Sequence, residues 1–536
     1  MARTFPRALV AAFASLAAAA SALECSASAS APALTTLEIG GNPKGTPSTV
    51  TLVPAFSPDV HDYYVRCAEG ENAFSVTLVA SSGAEVMLQQ PTTSAANPRQ
   101  TIDVTVNPNQ AIVAVVKDAT GTSSTTDYWI RCLPPSFPMM EMTAHSDAGA
   151  PPPGYYLIGN ETPAYGGVGY AMVLDQNGVP VWYEAQPQSG AFNSTTGAFD
   201  VDSLADGEVS LIPWPSQLAS APFQIRQLSS GKTASVSGKG QALDPHELRA
   251  LPSGDFLIFT DQIQTGVDLT GYDVPQSDGG VESFGPNSSI LPCKILEVDP
   301  EGRVVWDWTA TDHLDPVKDN TLPGLEAGPN QVEVPDPFHC NSIDVDPATG
   351  NLLVSARHMD SVFYIERSSG RILWKMGGSE YTKDGAAYVP VEDAFHRQHD
   401  ARLLPGWSSD CGGQGQLSLF DDESYEPNPA RAVVYDVQVA SSTSAACGSA
   451  GARVAWQARG TGSSDLMGSF RISSDGSRVI GWGVSPSLMV FSEVDSNGSD
   501  LLDFYFTVPT FSYRAIKVPL SALDIGVMRR TAGTPE

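Results

Sequence analysis

The chain has 536 residues, with 30 basic and 60 acidic side chains and a formal net charge of −30 at pH 7. This charge repels phosphate backbones and anionic membranes, which argues against nucleic acid as a partner. The length predicts roughly two to four domains, and a composition rich in Gly, Pro and apolar residues favours a folded, loop-rich all-β protein over a disordered one. An anionic substrate would have to be bound by local cations, so one buried arginine would be unusually important for binding it.

The N-terminus predicts an export signal over residues 1–22, because Arg3 and Arg7 precede an apolar run that ends in small residues. A Ser/Ala linker follows over residues 23–32, and whether Cys25 is lipidated or removed is left open. No later apolar run approaches the length of a membrane span. We therefore expect an exported protein that is secreted, periplasmic or on the cell surface, where disulfides form.

Residues 33–134 alternate apolar and polar side chains in short runs separated by turn residues, which predicts a β-sandwich. Cys67 and Cys132 end two similar strand-like segments, so we expect them to form a disulfide. A Pro-rich joint over residues 135–153 separates this domain from the rest. The segment resembles the cadherin-like β-sandwich domains of bacterial surface proteins through Leu37, Pro54-Ala55-Phe56-Ser57-Pro58 and Tyr63-Tyr64-Val65. A binding or spacer role is expected for it.

A repeat of two hairpins begins near Gly154. One half is a glycine turn before an apolar strand, and the other half is a second turn that leads to a tryptophan. Six such units predict a six-bladed β-propeller over residues 154–520, with a C-terminal tail over 521–536. A stack of sandwich domains is the alternative, but the copies are too small for it. The units span roughly residues 154–190, 198–240, 244–315, 335–380, 395–460 and 465–508.

Cys411 and Cys447 bracket a segment of one predicted blade, and we expect a second disulfide between them. The pairing of Cys293 and Cys340 is left open.

Three polar residues stand at equivalent places in successive repeat units. His246 precedes the turn glycine of its unit by eight residues, Asn341 by nine and His399 by seven. Each should therefore begin an innermost strand, and the same ends of innermost strands meet at one mouth of a propeller's axial channel. We expect these side chains to face a common space.

Two further residues join this predicted cluster. Strand alternation places His339 on the same side as Asn341, with Cys340 on the other side. Arg357 ends the second strand of the same hairpin, and antiparallel pairing returns it to the imidazoles. His358 and His396 are expected at the rim.

Three histidines also suggest zinc or copper. Against a metal, Arg357 adds a positive charge, and Asp400 and Glu247 directly follow His399 and His246, so that on a strand they face away. Imidazoles, one guanidinium and one amide instead suit an oxyanion. We therefore expect no metal and no cofactor.

These residues lie in motifs that resemble those of the exported arylsulfotransferases: Asp336-Pro337-Phe338-His339-Cys340-Asn341-Ser342, Ser355-Ala356-Arg357, Gln398-His399-Asp400-Ala401 and Asp244-Pro245-His246-Glu247. The resemblance spans about residues 154–520 and implies a six-bladed propeller with a central active site. It implies that His399 is the nucleophile that carries the sulfuryl group, and that His246 assists proton transfer at the phenol oxygen.

By the same resemblance, His339, Asn341 and Arg357 hold the sulfuryl oxygens. Tyr513 and Arg514 resemble the family's closing segment and are expected to line the aryl pocket. The family's hydroxyl contact from the sixth blade has Ser469 and Thr461 as candidates here, although neither aligns cleanly.

The resulting hypothesis is a ping-pong transfer from a phenolic sulfate to a phenolic acceptor through a sulfohistidine. Two alternatives remain open. One is a non-catalytic cell-surface propeller that binds sulfated or anionic glycans, and the other is a metal hydrolase. A homo-oligomer is neither predicted nor excluded by the sequence.

Overall fold

The computed structural model describes residues 31–41, 48–119, 124–162, 168–186, 196–214, 221–238, 240–329, 332–440 and 447–533. The predicted signal segment, most of the linker and Cys25 lie outside the described residues. Strands are the dominant regular structure of the described chain, which confirms the all-β prediction. Its helices α1 (Ala310–His313) and α2 (Ile525–Thr531) are short, and none of the described helices is long and apolar enough to span a membrane.

The first eight strands form two four-stranded sheets that enclose a common apolar core. Their alternating burial, as in Asn72–Ala80, follows from alternating apolar residues in the sequence. The strands are β1 (Leu34–Gly41), β2 (Ser48–Thr49), β3 (Asp62–Arg66), β4 (Asn72–Ala80), β5 (Ala84–Gln90), β6 (Arg99–Val106), β7 (Ala111–Asp118) and β8 (Thr125–Leu133), in the orders β2-β1-β4-β6 and β3-β8-β7-β5. A disulfide joins Cys67 to Cys132, the pair expected from the sequence.

Of the next nine strands, the last eight belong to two sheets, one of five strands and one of four strands that the final strand of the chain completes. They are β9 (Met140–Ala144), β10 (Tyr155–Gly159), β11 (Glu161–Thr162), β12 (Tyr170–Leu174), β13 (Pro180–Ala185), β14 (Thr196–Asp202), β15 (Glu208–Trp214), β16 (Phe223–Gln227) and β17 (Lys232–Val236). The second sheet has the order β11-β14-β15-β16-β17. Strand β9 lies in the segment predicted to be a joint, yet it pairs with a strand near the C-terminus.

The third and fourth sheets carry most of the predicted site. Their strands and insertions are β18 (Leu243–Ala250), β19 (Phe256–Thr260), β20 (Gln264–Val267), β21 (Asp273–Pro275), β22 (Val281–Ser283), β23 (Ser288–Ile290), β24 (Lys294–Val298), β25 (Val304–Thr309), β26 (Leu325–Ala327), β27 (Glu333–Pro335), β28 (Cys340–Val345), β29 (Leu352–Ala356), β30 (Ser361–Ile365), β31 (Ile372–Met376) and β32 (Ala387–Val389). The sheet orders are β18-β19-β24-β25 and β28-β29-β30-β31-β32.

The remaining strands are β33 (His399–Leu403), β34 (Gln414–Asp421), β35 (Arg431–Gln438), β36 (Gly451–Arg459), β37 (Ser469–Ile472), β38 (Arg478–Gly481), β39 (Met489–Val494), β40 (Asp500–Phe506) and β41 (Ala515–Val518). They complete the sheets β33-β34-β35-β36, β37-β38-β39-β40-β9 and β13-β12-β10-β41. The last strand of the chain thus pairs with β10, near the start of the six sheets.

Successive sheets contact one another through their first strands, from β14 to β18, β28, β33 and β37, while β41 contacts both β37 and β14. Apolar side chains from the facing surfaces of neighbouring sheets fill the spaces between them. The glycine turns that marked the repeat are real turns, because Gly254, Gly350 and Gly406 have φ of 91°, 75° and 97°. Other residues rarely adopt these angles, which explains the glycines.

Two further disulfides connect the six-sheet region. Cys411 is bonded to Cys447, as the sequence predicted. Cys293 is bonded to Cys340, which resolves the pairing that the sequence left open. The second bond ties the third sheet's insertion to the start of β28, directly beside Asn341.

Candidate active site

The structure brings His246, His339 and His399 together from three different sheets. His246 lies in β18, His339 immediately precedes β28, and His399 is the first residue of β33. The ring centres of His246 and His339 are 5.1 Å apart, and those of His246 and His399 are 6.4 Å apart. Neighbouring first strands therefore deliver the three imidazoles to one space, as the repeat spacing predicted.

The strands that carry these residues are irregular where the site begins. Register shifts fall between Leu243 and Leu248, between Cys340 and Ser342, and between His399 and Arg402. Such bulges redirect side chains and are common beside active sites.

His339 itself has φ of 51° and lies outside the strand. Simple strand alternation, which the sequence analysis applied to His339, therefore does not explain its position. Positive φ is uncommon for residues other than glycine and costs on the order of 1–3 kcal/mol where tertiary structure imposes it.

Each of the three imidazoles has its Nδ1 atom close to a carboxylate. Nδ1 of His246 is 2.6 Å from Asp244, and Nδ1 of His339 is 2.6 Å from Asp336. Nδ1 of His399 is 3.1 Å from the nearer carboxylate oxygen of Asp422. An ionised carboxylate partner holds a proton on Nδ1 and orients each ring so that Nε2 lies on the side away from the carboxylate.

These carboxylates were not among the predicted site residues, because only the acidic residues that directly follow the histidines were weighed as partners. A signal was present for two of them, since Asp244 and Asp336 begin the Asp-Pro motifs that precede His246 and His339. Asp422 lies 23 residues from His399 and just after β34, which pairs antiparallel with β33, so the hairpin rule that placed Arg357 could have indicated it.

Arg357 and Asn341 add polar groups to the cluster. The backbone N–H of Arg357 donates to the carbonyl of His339 at 2.9 Å, so the hairpin returns this residue to the imidazoles as predicted. Within the described part of the chain, the Arg357 Nε and the Asn341 Oδ1 are buried and have no hydrogen-bond partner. Buried polar atoms without protein partners commonly contact water, an ion or a ligand.

His358 lies inside the cluster, not at its rim as expected. The ring is buried, its Nδ1 donates to the carbonyl of Asp336 at 2.6 Å, and its centre is 4.6 Å from that of His339. Its Nε2 accepts from the Arg357 guanidinium at 3.0 Å. Burial and the charge of His339 lower the pKa of His358 to about 3, so it stays neutral and positions Arg357. His396 is partly exposed, with Nδ1 3.2 Å from Glu423.

Three buried carboxylates and three guanidinium groups lie behind the histidines. Glu247 and Asp400 face away from the imidazoles, as predicted, and both accept from Arg402. Burial raises the pKa of Glu247, but Arg402 and Arg514 outweigh burial and lower it to about 2. Asp200 accepts from Arg514 at 2.6 Å, and Asp400 accepts from Arg471 at 2.7 and 2.8 Å. Breaking such a buried ion pair by removing one partner costs about 3–5 kcal/mol.

The three residues expected to contact substrate occupy different positions. The ring of Tyr513 reaches the cluster, 5.6 Å from the ring of His246, and its hydroxyl donates to the carbonyl of His246. Arg514 is 1% exposed, and its terminal nitrogens donate to Asp200, Glu247 and the Asn341 carbonyl. The Ser469 hydroxyl is bonded to the backbone of Ala515. Arg514 and Ser469 therefore hold the fold together here, and substrate contact by them stays a prediction.

The histidines differ in protonation. Burial and the charge of Arg357 hold the pKa of His399 well below its ordinary value, so this ring is neutral. Burial and the charges of His246 and Arg357 do the same for His339. Burial also lowers the pKa of His246, but the Asp244 carboxylate outweighs it and raises this pKa above the ordinary value. The site therefore combines two neutral imidazoles, His399 and His339, with one whose protonated form is favoured, His246.

A metal would have to compete for ligands already in use. Potential ligand atoms of Glu326, His339 and His358 lie within 4.8 Å of one another. However, Asp336 holds Nδ1 of His339, while both ring nitrogens of His358 are bonded. A second group, His396, Asp421 and Glu423, has Asp421 bonded to Arg431. These donor sets fit a metal poorly, whereas the orphan Arg357 nitrogen fits an oxyanion.

The chain was compared with known proteins. The family model described as Arylsulfotransferase (ASST) matches residues 224–506, which is more than half of the chain. No curated protein matches significantly.

Among solved structures, 43 chains match this chain. One is an auxiliary nutrient binding protein from Bacteroides thetaiotaomicron, 10% identical, covering 85% of this chain and 97% of that chain with a TM-score of 0.22. Another is a europium-containing methanol dehydrogenase, 12% identical, covering 84% and 80% with a TM-score of 0.26. TM-scores this low do not establish a shared fold, so nothing about this chain is concluded from these two structures.

Proposed function

The chain belongs to the arylsulfotransferase (ASST) family, and we propose that it moves a sulfuryl group from a phenolic sulfate ester to a phenolic acceptor. The transfer is of the ping-pong type, with a covalent sulfohistidine at His399, and it needs no nucleotide sulfate, cofactor or metal. The expected partners are therefore the two phenols, with no nucleic acid.

The six sheets are proposed to be the blades of a propeller over residues 154–520. This is supported by the contacts between successive first strands and by the pairing of the C-terminal strand β41 with β10. In such an arrangement the first strands line a central channel. The histidine cluster then lies at one mouth of the channel, and the buried ion network closes the channel behind it.

In the first half-reaction, Nε2 of His399 attacks the sulfur of the aryl sulfate. The bond between sulfur and the phenolic oxygen breaks with its electron pair on oxygen, which takes the proton from Nε2 of His246. The products are a free phenol and N-sulfonated His399, whose developing positive charge is stabilised by Asp422. Positioned proton transfer of this kind contributes about 10²- to 10⁴-fold.

In the second half-reaction, the acceptor phenol gives its proton to His246 and its oxygen attacks the sulfur. The bond between Nε2 and sulfur breaks, His399 returns to its neutral form, and a new aryl sulfate leaves. Throughout both steps Arg357 donates to the sulfuryl oxygens, while His339 and Asn341 line the space that the sulfuryl group occupies. Each donor aimed at developing negative charge contributes on the order of 10²- to 10³-fold.

One observation carries this proposal. Three imidazoles from three sheets each hold Nδ1 against a carboxylate of their own, beside an arginine with an orphan buried nitrogen. A structural histidine needs a hydrogen-bond partner, but three converging rings that all reserve Nε2 suit group transfer to and from nitrogen. A glycan-binding surface has no need for this common orientation.

Export to the periplasm, the cell surface or the medium is proposed as well. The support is three disulfides among the described residues, because disulfides persist in oxidising compartments. The sandwich domain over residues 33–134 is proposed to be a spacer or binding module.

The test uses a chromogenic aryl sulfate without an acceptor. Wild type should release up to one equivalent of donor phenol in a burst, and intact-protein mass spectrometry should show one added sulfuryl group on His399. His399→Ala should show neither.

The matched control is His145→Ala, which removes a partly exposed histidine bonded to Asp503 and should keep the burst. Absence of any adduct on wild type would instead favour a non-catalytic anion-binding protein.

A further inference from the structure

An inserted hairpin places one more carboxylate next to the histidine cluster. Strands β26 and β27 pair with each other between α1 and β28, and Glu326 lies in the first of them. The Glu326 carboxylate is 3.9 Å from Nδ1 of His339. The hairpin is fixed at its base, because the backbone N–H of Asp336 donates to the carbonyl of Gly324, and the Tyr272 hydroxyl bonds Gly324. Glu326 is therefore held at this place.

The exposed fractions of the four side chains indicate how deep each one lies in the site. His399 is 2% exposed, His339 and His246 are 16% and 17% exposed, and Glu326 is 45% exposed. A sulfuryl group that reacts at His399 therefore lies in the deepest part of the site. If the aryl ring attached to it leaves past His246 and His339, the two more exposed histidines, its far end comes to the side of the cluster where Glu326 stands.

Glu326 has no strong cationic partner of its own. Its one ion-pair contact among the described residues is with His339, whose Nδ1 is already held by Asp336. The other neighbouring charges include the carboxylates Asp336 and Asp244, with Arg357 and His246 as opposing charges. A half-exposed carboxylate at the opening, with no cation committed to it, is open to pairing with a substrate group.

We propose that Glu326 selects the acceptor, favouring phenols that carry a cationic amine at the end of the ring opposite the reacting hydroxyl. This inference rests on the proposed sulfuryl transfer and adds the class of acceptor to it. Phenols with a distal carboxylate meet like charge at the same point and are disfavoured. The formal charge of −30 acts in the same direction on molecules that approach the opening.

The experiment compares three acceptors of similar shape: tyramine, para-ethylphenol and para-hydroxyphenylpropionate. Burial and the Asp336 charge raise the pKa of Glu326 to about 7, so the assay is run above that pH, where the carboxylate is ionised. Rates are normalised to the burst of donor phenol, which reports the active fraction of each variant. The measured quantity is the ratio of kcat/KM for tyramine to kcat/KM for para-hydroxyphenylpropionate.

Wild type should favour tyramine, and Glu326→Gln should reduce the ratio by about fivefold, the upper range for a half-exposed ion pair. Glu326→Lys should reduce it further and favour the anionic phenol. The matched control, Glu333→Gln, removes an exposed carboxylate from the partner strand of the same hairpin and should leave the ratio as in wild type.

An unchanged ratio in both Glu326 variants, with transfer intact, would overturn the selection role alone. A wild type with no burst would overturn the proposed transfer and this inference with it.

Discussion

Asp422→Asn gives the sharpest test of how the nucleophile is prepared. Asp422 is fully buried and lies 3.1 Å from Nδ1 of His399. When it is ionised, its carboxylate can only accept, which fixes the proton on Nδ1 and leaves Nε2 free. An asparagine of the same shape can also donate, which favours the opposite tautomer and places a proton on the attacking nitrogen.

The magnitude follows from the bond that is lost. A hydrogen bond to a charged group contributes about 1.5–3 kcal/mol, and each 1.36 kcal/mol is a factor of ten. The rate of the first half-reaction should therefore fall by roughly 10²-fold, with the donor KM little changed. Burial raises the pKa of Asp422 and disfavours its ionised form, so replacing it by a neutral isostere should not lower the melting temperature.

The assay is stopped-flow release of donor phenol, with thermal unfolding as the test of structure. Asp436→Asn, which removes a partly exposed carboxylate of the same sheet, is the control and should have the wild-type rate. The loss in Asp422→Asn should not depend on the leaving group, because the nucleophile is affected. A variant that keeps a rate within threefold of wild type would show that Asp422 does not set the tautomer.

Three other outcomes are expected. The donor kcat/KM should follow a bell-shaped pH profile, because it rises as Asp422 ionises at a raised pKa and falls as His246 loses its proton above pH 6.5. The variant His246→Gln should remove the falling limb. A flat profile in wild type would contradict both assignments. Arg357→Lys should lower kcat, measured by steady-state kinetics, by at least tenfold, because a lysine ammonium group cannot contact His358 and also donate to the sulfuryl group. A wild-type kcat would show that Arg357 is not part of the site. Cys293→Ser should lower the free energy of unfolding, measured by denaturant titration, by about 4 kcal/mol, because the disulfide to Cys340 closes a loop of 47 residues. An unchanged denaturation midpoint would exclude this stabilisation.

The repeat explains how much of the site could be predicted from the sequence. His246, Asn341 and His399 stand at one register position in successive units, so their convergence could be read from the distance to a turn glycine. Arg357 followed from antiparallel pairing within one hairpin. These residues are placed by local rules, namely strand period and turn position, which a single sequence contains.

Strand period and turn position do not place the remaining residues by themselves. Asp422 follows β34, which pairs with β33 in the same sheet, but 23 residues of chain separate it from His399. Glu326 comes from a hairpin inserted between α1 and β28. Arg514 looked like a pocket residue because its partners, Asp200 and Glu247, lie hundreds of residues away in the chain. His358 turned inward because a short 3-10 turn begins at Arg357, directly after β29.

The distribution of charge explains how a strongly acidic protein can hold an anion. Behind the cluster, Asp200, Glu247 and Asp400 face Arg402, Arg471 and Arg514, so the network balances its own charge. The carboxylates that touch the histidines bind Nδ1, on the side of each ring away from Nε2. The positive potential at the reacting atoms therefore comes from Arg357 and protonated His246, at short range and in a buried place where water and salt screen little. An anion that reaches His399 meets these two charges and not the acidic surface, which is why loss of Arg357 alone should be enough to disable transfer.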